Sequence, residues 1–196
     1  MELNSPEGLA SPRRFARLGG VAVAGLVLSG LTAIMLFRPP PPPVPTPADL
    51  GSLDPQVRSH LANIVKRVAD APTEGTLRGE LGLAFAVNGL WSEARESFLQ
   101  SLALGGDAPL PAMYAAVALQ ELGQDAAATA ELQGVVQRFP SFAPAWYRLG
   151  MGLLARGQAA EAAAAFTEVT RLAPEAWHGW AGLGDALLRD GRGADA

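Results

Sequence analysis

The side chains of this sequence that could do chemistry are few and widely spaced. Its two histidines, His60 and His178, lie far apart, and neither has a partner at a metal-binding spacing such as H-E-x-x-H. His178 stands beside Trp177 and Trp180, where it could serve a reactive site or pack on aromatic rings at an interface. The packing interpretation is favoured, because a lone histidine lacks the partners that acid–base catalysis requires.

No other catalytic pattern is found in the sequence. A P-loop, a G-x-G-x-x-G fingerprint and a G-x-S-x-G elbow are missing, and the carboxylates are scattered over positions typical of solvated helix surfaces. The chain has no cysteine, which excludes thiol chemistry and disulfides. We therefore predict a protein that is not an enzyme and that uses no cofactor and no metal.

The charge distribution argues against nucleic acid as a partner. Residues 1–47 carry four arginines against two glutamates, whereas residues 48–196 carry eleven basic against seventeen acidic side chains. Lys66 is the single lysine of the chain. Because nucleic-acid binding depends mainly on neutralising phosphates, this acidic body is a poor candidate for it.

An apolar stretch of twenty residues, 18–37, contains no charged side chain. As a helix it would be about 30 Å long, which matches the hydrocarbon core of a bilayer. A buried soluble helix is less consistent with apolar residues all round. A cleaved signal peptide is the stronger alternative, but the stretch is long for one and is followed by Arg38 and prolines. We predict an uncleaved transmembrane signal anchor.

The charges that flank this stretch predict its orientation. Arg13, Arg14 and Arg17 precede it, and Arg38 alone follows it. Since the basic side of a span stays in the cytoplasm, residues 1–17 are predicted to be a cytoplasmic tail. The rest of the chain would then lie in the periplasm or outside the cell. The expected location is the bacterial inner membrane, crossed once.

Residues 39–47 contain seven prolines in nine positions. Such a segment forms neither helix nor sheet ladder and favours polyproline II. At about 3.1 Å per residue it would extend about 28 Å, so residues 38–48 are predicted to be a stiff polyproline linker. Docking into the proline-recognising groove of another protein is the alternative, which is less favoured because a linker is already required here.

The chain after residue 48 has a helical pattern. Asp54 and Pro55 are typical N-cap and first-turn residues, and the apolar stripe that follows ends before Pro72. Residues 49–74 are therefore predicted to form an N-terminal capping helix. This helix falls in register with the second half of a repeat that would precede the others.

Residues 75–196 repeat with a period of 34. Four sets of positions keep this spacing without an insertion. They are Leu81, Ala115, Leu149 and Leu183; Gly82, Ala116, Gly150 and Gly184; Gly89, Gly123, Gly157 and Gly191; and Ala94, Ala128, Ala162 and Ala196. The second set would let paired helices approach closely, the third would end the first helix of each pair, and the fourth would fit beneath a large side chain. Phe98, Leu132 and Phe166 are the expected large side chains.

Residues 143–176 carry this pattern most completely. The residues that carry the pattern here are Trp146, Leu149, Gly150, Gly157, Ala162, Phe166 and Pro174. A 34-residue helix–turn–helix unit with W-x2-L-G followed by G, A, F and P resembles the tetratricopeptide repeat (TPR) family. The resemblance implies an all-α TPR solenoid with repeats at 75–108, 109–142 and 143–176 and a partial fourth repeat at 177–196. The second repeat departs most, since Ala112 stands where the family often has tryptophan.

The fourth repeat stops after its first helix, which leaves Trp180, Leu183 and Leu187 without a second helix to cover them. Three explanations are open: the sequence is truncated, the last helix caps the array as it stands, or another chain covers it. Truncation is favoured, because residues 191–196 read as the start of a further helix.

The resemblance also implies where a partner would bind. In such arrays the first helices line a concave groove, and the matching positions are Leu83, Val87, Met113, Val117, Gln120, Glu121, Tyr147, Met151, Leu154, His178, Asp185 and Arg189. Methionine and tyrosine suit adaptable contacts with an amphipathic helix or an extended peptide. For each residue the alternative is simple packing within the solenoid. The carboxylate clamp of some family members is not expected, because Gly79 and Leu83 occupy its first positions.

The sequence therefore predicts a membrane-anchored TPR adaptor that binds a protein or peptide partner during assembly of an envelope or membrane complex. The alternative is a non-catalytic structural accessory subunit of a larger membrane complex. A row of small residues in the apolar stretch, Gly25, Ser29 and Ala33, leaves homo-oligomerisation open without supporting it.

Overall fold

The computed structural model describes residues 40–47, 50–51, 53–105 and 108–192. These residues form eight α-helices and no strand. The helices are α1 (Pro55–Asp70), α2 (Gly75–Ala86), α3 (Trp91–Gly105), α4 (Pro109–Glu121), α5 (Asp125–Arg138), α6 (Ala143–Ala155), α7 (Ala159–Leu172) and α8 (Trp177–Arg189). All eight belong to one compact unit, Pro42–Ala196.

The predicted cytoplasmic tail, 1–17, and the predicted membrane anchor, 18–37, lie outside the described residues. Among the helices that the structure does describe, none combines the length and the apolar character needed to cross a bilayer.

The helices stack in chain order, and the contacts between them define a solenoid. Each helix packs against the next one from α1 to α8. In addition α4 contacts α6 and α6 contacts α8, whereas the second helices α5 and α7 make no comparable contact with each other. First helices that meet across a repeat boundary lie on the inner side of a curved stack. The predicted all-α solenoid is thereby confirmed.

Glycines end the first helix of every repeat. Gly89, Gly123, Gly157 and Gly191 all have φ between 74° and 77°, in the left-handed region that side chains with a Cβ rarely adopt. At Gly157 the backbone N–H donates to the Leu154 carbonyl at 3.0 Å, and the next N–H donates to the Leu153 carbonyl at 2.9 Å. These bonds satisfy carbonyls that the helix end leaves unpaired.

Small residues on the first helices meet large side chains from the second helices. A Cβ built on Gly82 would lie 2.7 Å from the Phe98 ring, and one built on Gly150 would lie 2.8 Å from the Phe166 ring. Both rings are at most 1% exposed. Glycine is therefore required at these two positions by the ring that fills the space.

The last helix is better covered than the sequence indicates. Leu187 is only 5% exposed and belongs to the same core cluster as Phe166, and Leu183 packs against that cluster. No second helix of the fourth repeat is present in the described residues, and the cover of these two leucines comes from the preceding repeat, since α6 and α7 both contact α8. Trp177, Trp180 and Leu188 remain more than half exposed.

The N-terminal part of the unit combines a capped helix with an extended proline segment. The Asp54 carboxylate accepts a hydrogen bond from the Gln56 backbone N–H at 2.7 Å, as the N-cap prediction requires. Pro45 and Pro47 are buried, and Val44 packs against the core cluster formed by α1 to α4. The length of the predicted polyproline linker was calculated for an extended segment without contacts, whereas these residues pack against the helices.

Candidate functional site

The inner side of the array is formed by α2, α4, α6 and α8, which carry the predicted groove residues. The repeat period places corresponding residues side by side, so that Leu83, Val117, Met151 and Asp185 occupy one row. Because the helices meet edge to edge, such a row crosses the array at right angles to the helices. A partner lying in the groove would contact one or two rows along its length.

The exposure of the twelve predicted residues varies widely. Val87 is 81% exposed and Met151 is 45% exposed. Glu121 and Arg189 are exposed, and Leu83, Gln120, Tyr147, His178 and Asp185 are partly buried. Met113, Val117 and Leu154 are at most 6% exposed.

Met113, Val117 and Leu154 lie in the hydrophobic core rather than at the surface. All three belong to the core cluster that also contains Leu132 and Phe166. Their side chains pack where α4 and α6 meet each other and the second helices, and burial of this kind stabilises each by about 1.5–3 kcal/mol. The remaining nine positions can reach a partner, and their role in binding stays a prediction.

Four aromatic side chains from α6, α7 and α8 meet towards one end of the predicted groove. The Tyr147 ring makes edge contacts with the His178 ring at 4.8 Å and with the Phe166 ring at 5.8 Å, and Trp177 contacts His178 at 6.1 Å. His178 therefore packs on aromatic rings, as the interface interpretation predicts. Edge-to-face pairs of this type orient the rings and hold Tyr147 in place beside Met151.

An ion pair lies at the end of the predicted groove. Asp185 and Arg189 are one turn apart on α8, and the Arg189 Nε donates to the Asp185 carboxylate at 2.9 Å. This hydrogen bond and the negative charge of Asp185 raise the pKa of Arg189 above its usual value. Since each side chain already has the other as a partner, this end of the groove presents little net charge.

A hollow of about 330 Å³ opens between α2, α3 and the start of α4. Its walls include Gly79, Leu83, Phe98, Leu110 and Pro111. Only Leu83 was among the predicted groove residues. The signal that indicates this hollow is Gly79, because the corresponding positions in later repeats hold Met113, Tyr147 and Ala181. A missing side chain leaves space that the neighbouring apolar residues line.

Metal binding depends on how ligating side chains are grouped in the part of the chain that the structure describes. No group of three or more histidine, aspartate or glutamate side chains there is placed to hold a metal ion. The accessible surface of the site combines apolar and aromatic side chains with polar and charged ones. Such a surface can bind a helix or an extended segment of another protein.

Comparisons with known proteins agree with this architecture. Models of the tetratricopeptide repeat match residues 112–141 and 147–196. MamA (41-end) from Desulfovibrio magneticus RS-1 is 20% identical, with a TM-score of 0.62 over 72% of this chain and 80% of that chain. No curated protein matches the chain.

Two further solved structures are also similar to this chain, and both concern peptide binding. YrrB, a TPR protein with an unusual peptide-binding site, is 22% identical, with a TM-score of 0.56 over 70% of this chain and 71% of that chain. The first TPR of Spaghetti (RPAP3), bound to the HSP90 peptide SRMEEVD, is 20% identical, with a TM-score of 0.55 over 59% of this chain and 91% of that chain. At these identities the likeness shows the fold alone.

Proposed function

Because this chain carries tetratricopeptide repeats, at residues 112–141 and 147–196, we propose that it is a non-catalytic adaptor that binds a protein or peptide partner in the groove formed by its first helices. The peptide-binding site of YrrB and the peptide bound to Spaghetti support this use of the fold. The partner is a segment that has an apolar face and polar groups beside it, since the accessible groove residues combine Leu83, Val87, Tyr147 and Met151 with five polar or charged side chains. Assembly of an envelope or membrane complex is the role in which such an adaptor would act.

The exposure of Met151 is the observation that carries this proposal. Its side chain is 45% exposed on the inner helix α6, next to Tyr147, which the His178 and Phe166 rings hold in place. An unbranched thioether side chain adapts to different partner surfaces at low cost, and the fixed tyrosine ring supplies a rigid contact. A flexible residue beside a rigid one suits recognition of an apolar peptide face.

A pair of substitutions on the full chain tests groove binding. Leu99 is a matched control, since it is 44% exposed and lies on the second helix α3. Proteins that co-purify with the wild-type chain are identified, and their affinity is measured by surface plasmon resonance for Met151→Glu and Leu99→Glu. We expect Met151→Glu to weaken binding at least tenfold and Leu99→Glu to leave it within a factor of two. Equal effects of the two substitutions would refute a binding site on the inner surface.

The membrane anchor is a second part of the proposal. Residues 18–37 hold the chain in the bacterial inner membrane, with the repeats on the periplasmic side, because the arginines cluster before the apolar stretch. An alkaline phosphatase fused after Ala196 is expected to be active, and a fluorescent protein that folds only in the cytoplasm is expected to be dark. The reverse pattern would contradict this orientation.

An accessory-subunit function is the alternative, and the exposed face of α8 favours it. Trp177 is 77% exposed, Trp180 is 54% exposed and Leu188 is 64% exposed. Exposed aromatic residues of this size are typical of protein interfaces. If the alternative holds, purification in mild detergent gives a stoichiometric complex that survives high salt. Trp177→Glu with Leu188→Glu would then release the complex, and Met151→Glu would not.

A further inference from the structure

Arg78 occupies a position that belongs to tryptophan in the later repeats. The residues spaced by 34 are Arg78, Ala112, Trp146 and Trp180. The indole N–H of Trp146 donates to the Pro140 carbonyl, and that of Trp180 donates to the Pro174 carbonyl, each at 2.9 Å. Arg78 does the same in its own repeat, since its Nη2 donates to the Pro72 carbonyl at 3.2 Å. A single N–H donor would be enough for this hydrogen bond to the proline carbonyl six residues earlier.

The guanidinium of Arg78 has further donors, and they reach the proline segment. Nη2 donates to the Pro42 carbonyl at 2.8 Å, and Nη1 donates to the Pro43 carbonyl at 3.3 Å. Arg78 is nevertheless only 1% exposed. The hydrogen-bond acceptors of this buried arginine are neutral, and the negative charge that acts on it is that of Glu96. Burying a charge is costly unless hydrogen bonds or an opposite charge offset it.

Gln100 on α3 completes the contact with the segment. Its Nε2 donates to the Pro43 carbonyl and to the Glu96 carboxylate, each at 3.0 Å. Its Oε1 accepts a hydrogen bond from the Arg78 Nη1. The corresponding positions in the next two repeats are Gly134 and Glu168, so the pair Arg78 and Gln100 occurs once in the array.

These donors match the chemistry of a proline-rich segment. Proline has no backbone N–H, so such a segment offers only carbonyl acceptors and apolar rings. Arg78 and Gln100 supply the donors for two successive carbonyls. Pro45 and Pro47 supply buried rings farther along, and a hollow of about 270 Å³ beside them is walled by Leu61, Val65 and Phe85, with Arg58 and Lys66 also in its lining. The site therefore offers hydrogen-bond donors at one end and an apolar wall with two basic side chains at the other, and the segment does not fill it.

The segment also stands where a helix would be expected. α1 falls in the repeat register of a second helix, so a first helix would be expected before it. The residues 34 positions before α2, where that first helix would lie, are 41–52. Of these, residues 42–47 form no helix because prolines prevent it, and they pack against α1 to α3 instead. An intramolecular ligand held by side-chain donors can leave without breaking a helix.

We propose that Arg78 and Gln100 form a binding site for an extended proline-rich peptide. Residues 42–47 occupy this site as an intramolecular ligand, and a proline-rich segment of a partner protein takes their place when it binds. The site is distinct from the groove and does not depend on partner binding there. The tethered segment has an effective concentration on the order of millimolar, so it masks the site from weak ligands.

The experiment uses the full chain and a fluorescein-labelled peptide with the sequence P-P-P-P-V-P-T-P, which is that of residues 40–47. Pro45→Lys with Pro47→Lys places two positive charges at buried positions, in a hollow that Arg58 and Lys66 also line, and so expels the tethered segment while leaving Arg78 and Gln100 in place. Fluorescence anisotropy measures binding of the peptide. We expect the expelled variant to bind at least tenfold more tightly than the wild-type chain.

Two substitutions in the expelled variant then test the donors. Arg78→Lys keeps the charge but loses the fork, and Gln100→Leu removes one donor; each is expected to weaken peptide binding at least fivefold. Arg171→Ala, on α7, is the control and should change nothing. Circular dichroism and thermal unfolding show that each variant is folded.

Several results would overturn the proposal. They are no peptide binding by the expelled variant, equal binding by the wild-type chain, and binding unaffected by both Arg78→Lys and Gln100→Leu. Dimers of the wild-type chain that disappear when Pro45 and Pro47 are replaced would overturn the assignment to a partner, because they would show exchange of the segment between two copies.

Discussion

Gly150→Ala should destabilise the protein because of one ring. The new methyl group would lie 2.8 Å from Cζ and 2.9 Å from Cε1 and Cε2 of Phe166. These distances are well inside van der Waals contact, and the Phe166 ring is fully buried, so it cannot move aside freely. The second repeat has Ala116 and Leu132 at the two corresponding positions, both fully buried. Where the first-helix residue is alanine instead of glycine, the second-helix residue opposite it is therefore the smaller leucine instead of phenylalanine.

The expected magnitude has two parts of opposite sign. Overpacking a core by one methyl group costs about 1–3 kcal/mol. Replacing a helical glycine by alanine stabilises the helix by about 0.5–1 kcal/mol. Gly134 is the matched control, because a Cβ built on it meets nothing within 4 Å. Gly134→Ala should therefore stabilise the protein, and the difference between the two variants, about 1–3 kcal/mol, measures the clash alone.

A double-mutant cycle separates the clash from other effects. Phe166→Leu alone leaves a cavity and should cost about 1–2 kcal/mol. Combined with Gly150→Ala it recreates the pair found in the second repeat, so the two substitutions should be less harmful together than their sum. We expect a coupling free energy of about 1–3 kcal/mol. Urea unfolding of the full chain, followed by circular dichroism, gives the free energies when the slope m is unchanged. Additive effects, or equal stability of Gly150→Ala and Gly134→Ala, would refute the packing argument.

Three further substitutions have defined outcomes in the same unfolding assay. Gly157→Ala forces an alanine to φ 74° and should cost about 1–2 kcal/mol, although its Cβ meets no atom within 4 Å; an unchanged midpoint would contradict this. Trp146→Phe removes the 2.9 Å hydrogen bond to the Pro140 carbonyl and should cost about 0.5–1.5 kcal/mol, with Trp177→Phe, which is exposed, as the neutral control. Arg95 forms a bidentate ion pair with Glu131, at 2.7 Å and 2.9 Å, that joins α3 to α5. Arg95→Met breaks this pair and should lower the free energy of unfolding by about 1–3 kcal/mol. If the pair is responsible, the loss of stability should be smaller in high salt.

The period of 34 made most of the fold predictable. A glycine recurring at one position requires a left-handed turn, and all four members of that set adopt it. A small residue on a first helix requires a large one opposite, and Gly82 with Phe98 meets this requirement. Both inferences depend on contacts inside one repeat, where the spacing along the chain determines which residues meet.

The candidate groove was harder to predict, because its exposure depends on contacts between repeats. Leu154 and Leu188 lie 34 residues apart at corresponding positions of two first helices, but Leu154 is 6% exposed and Leu188 is 64% exposed. α6 contacts a first helix on each side, α4 and α8, whereas α6 is the one first helix that α8 contacts in the described part of the chain. The family pattern names positions that face inward. It does not tell how closely the neighbouring helix approaches each of them.

The proline segment shows most clearly what a repeat pattern leaves out. Its composition excludes a helix, and on that ground a stiff linker follows. The structure holds the segment at its start because Arg78, which stands where tryptophan would do, and Gln100 both donate to the Pro43 carbonyl. Pro45 and Pro47, farther along, are buried. Arg78 and Gln100 give no signal individually in the sequence, since arginine and glutamine are common on helix surfaces. Their meaning depends on a third partner more than thirty residues earlier in the chain, which only the folded molecule brings to them.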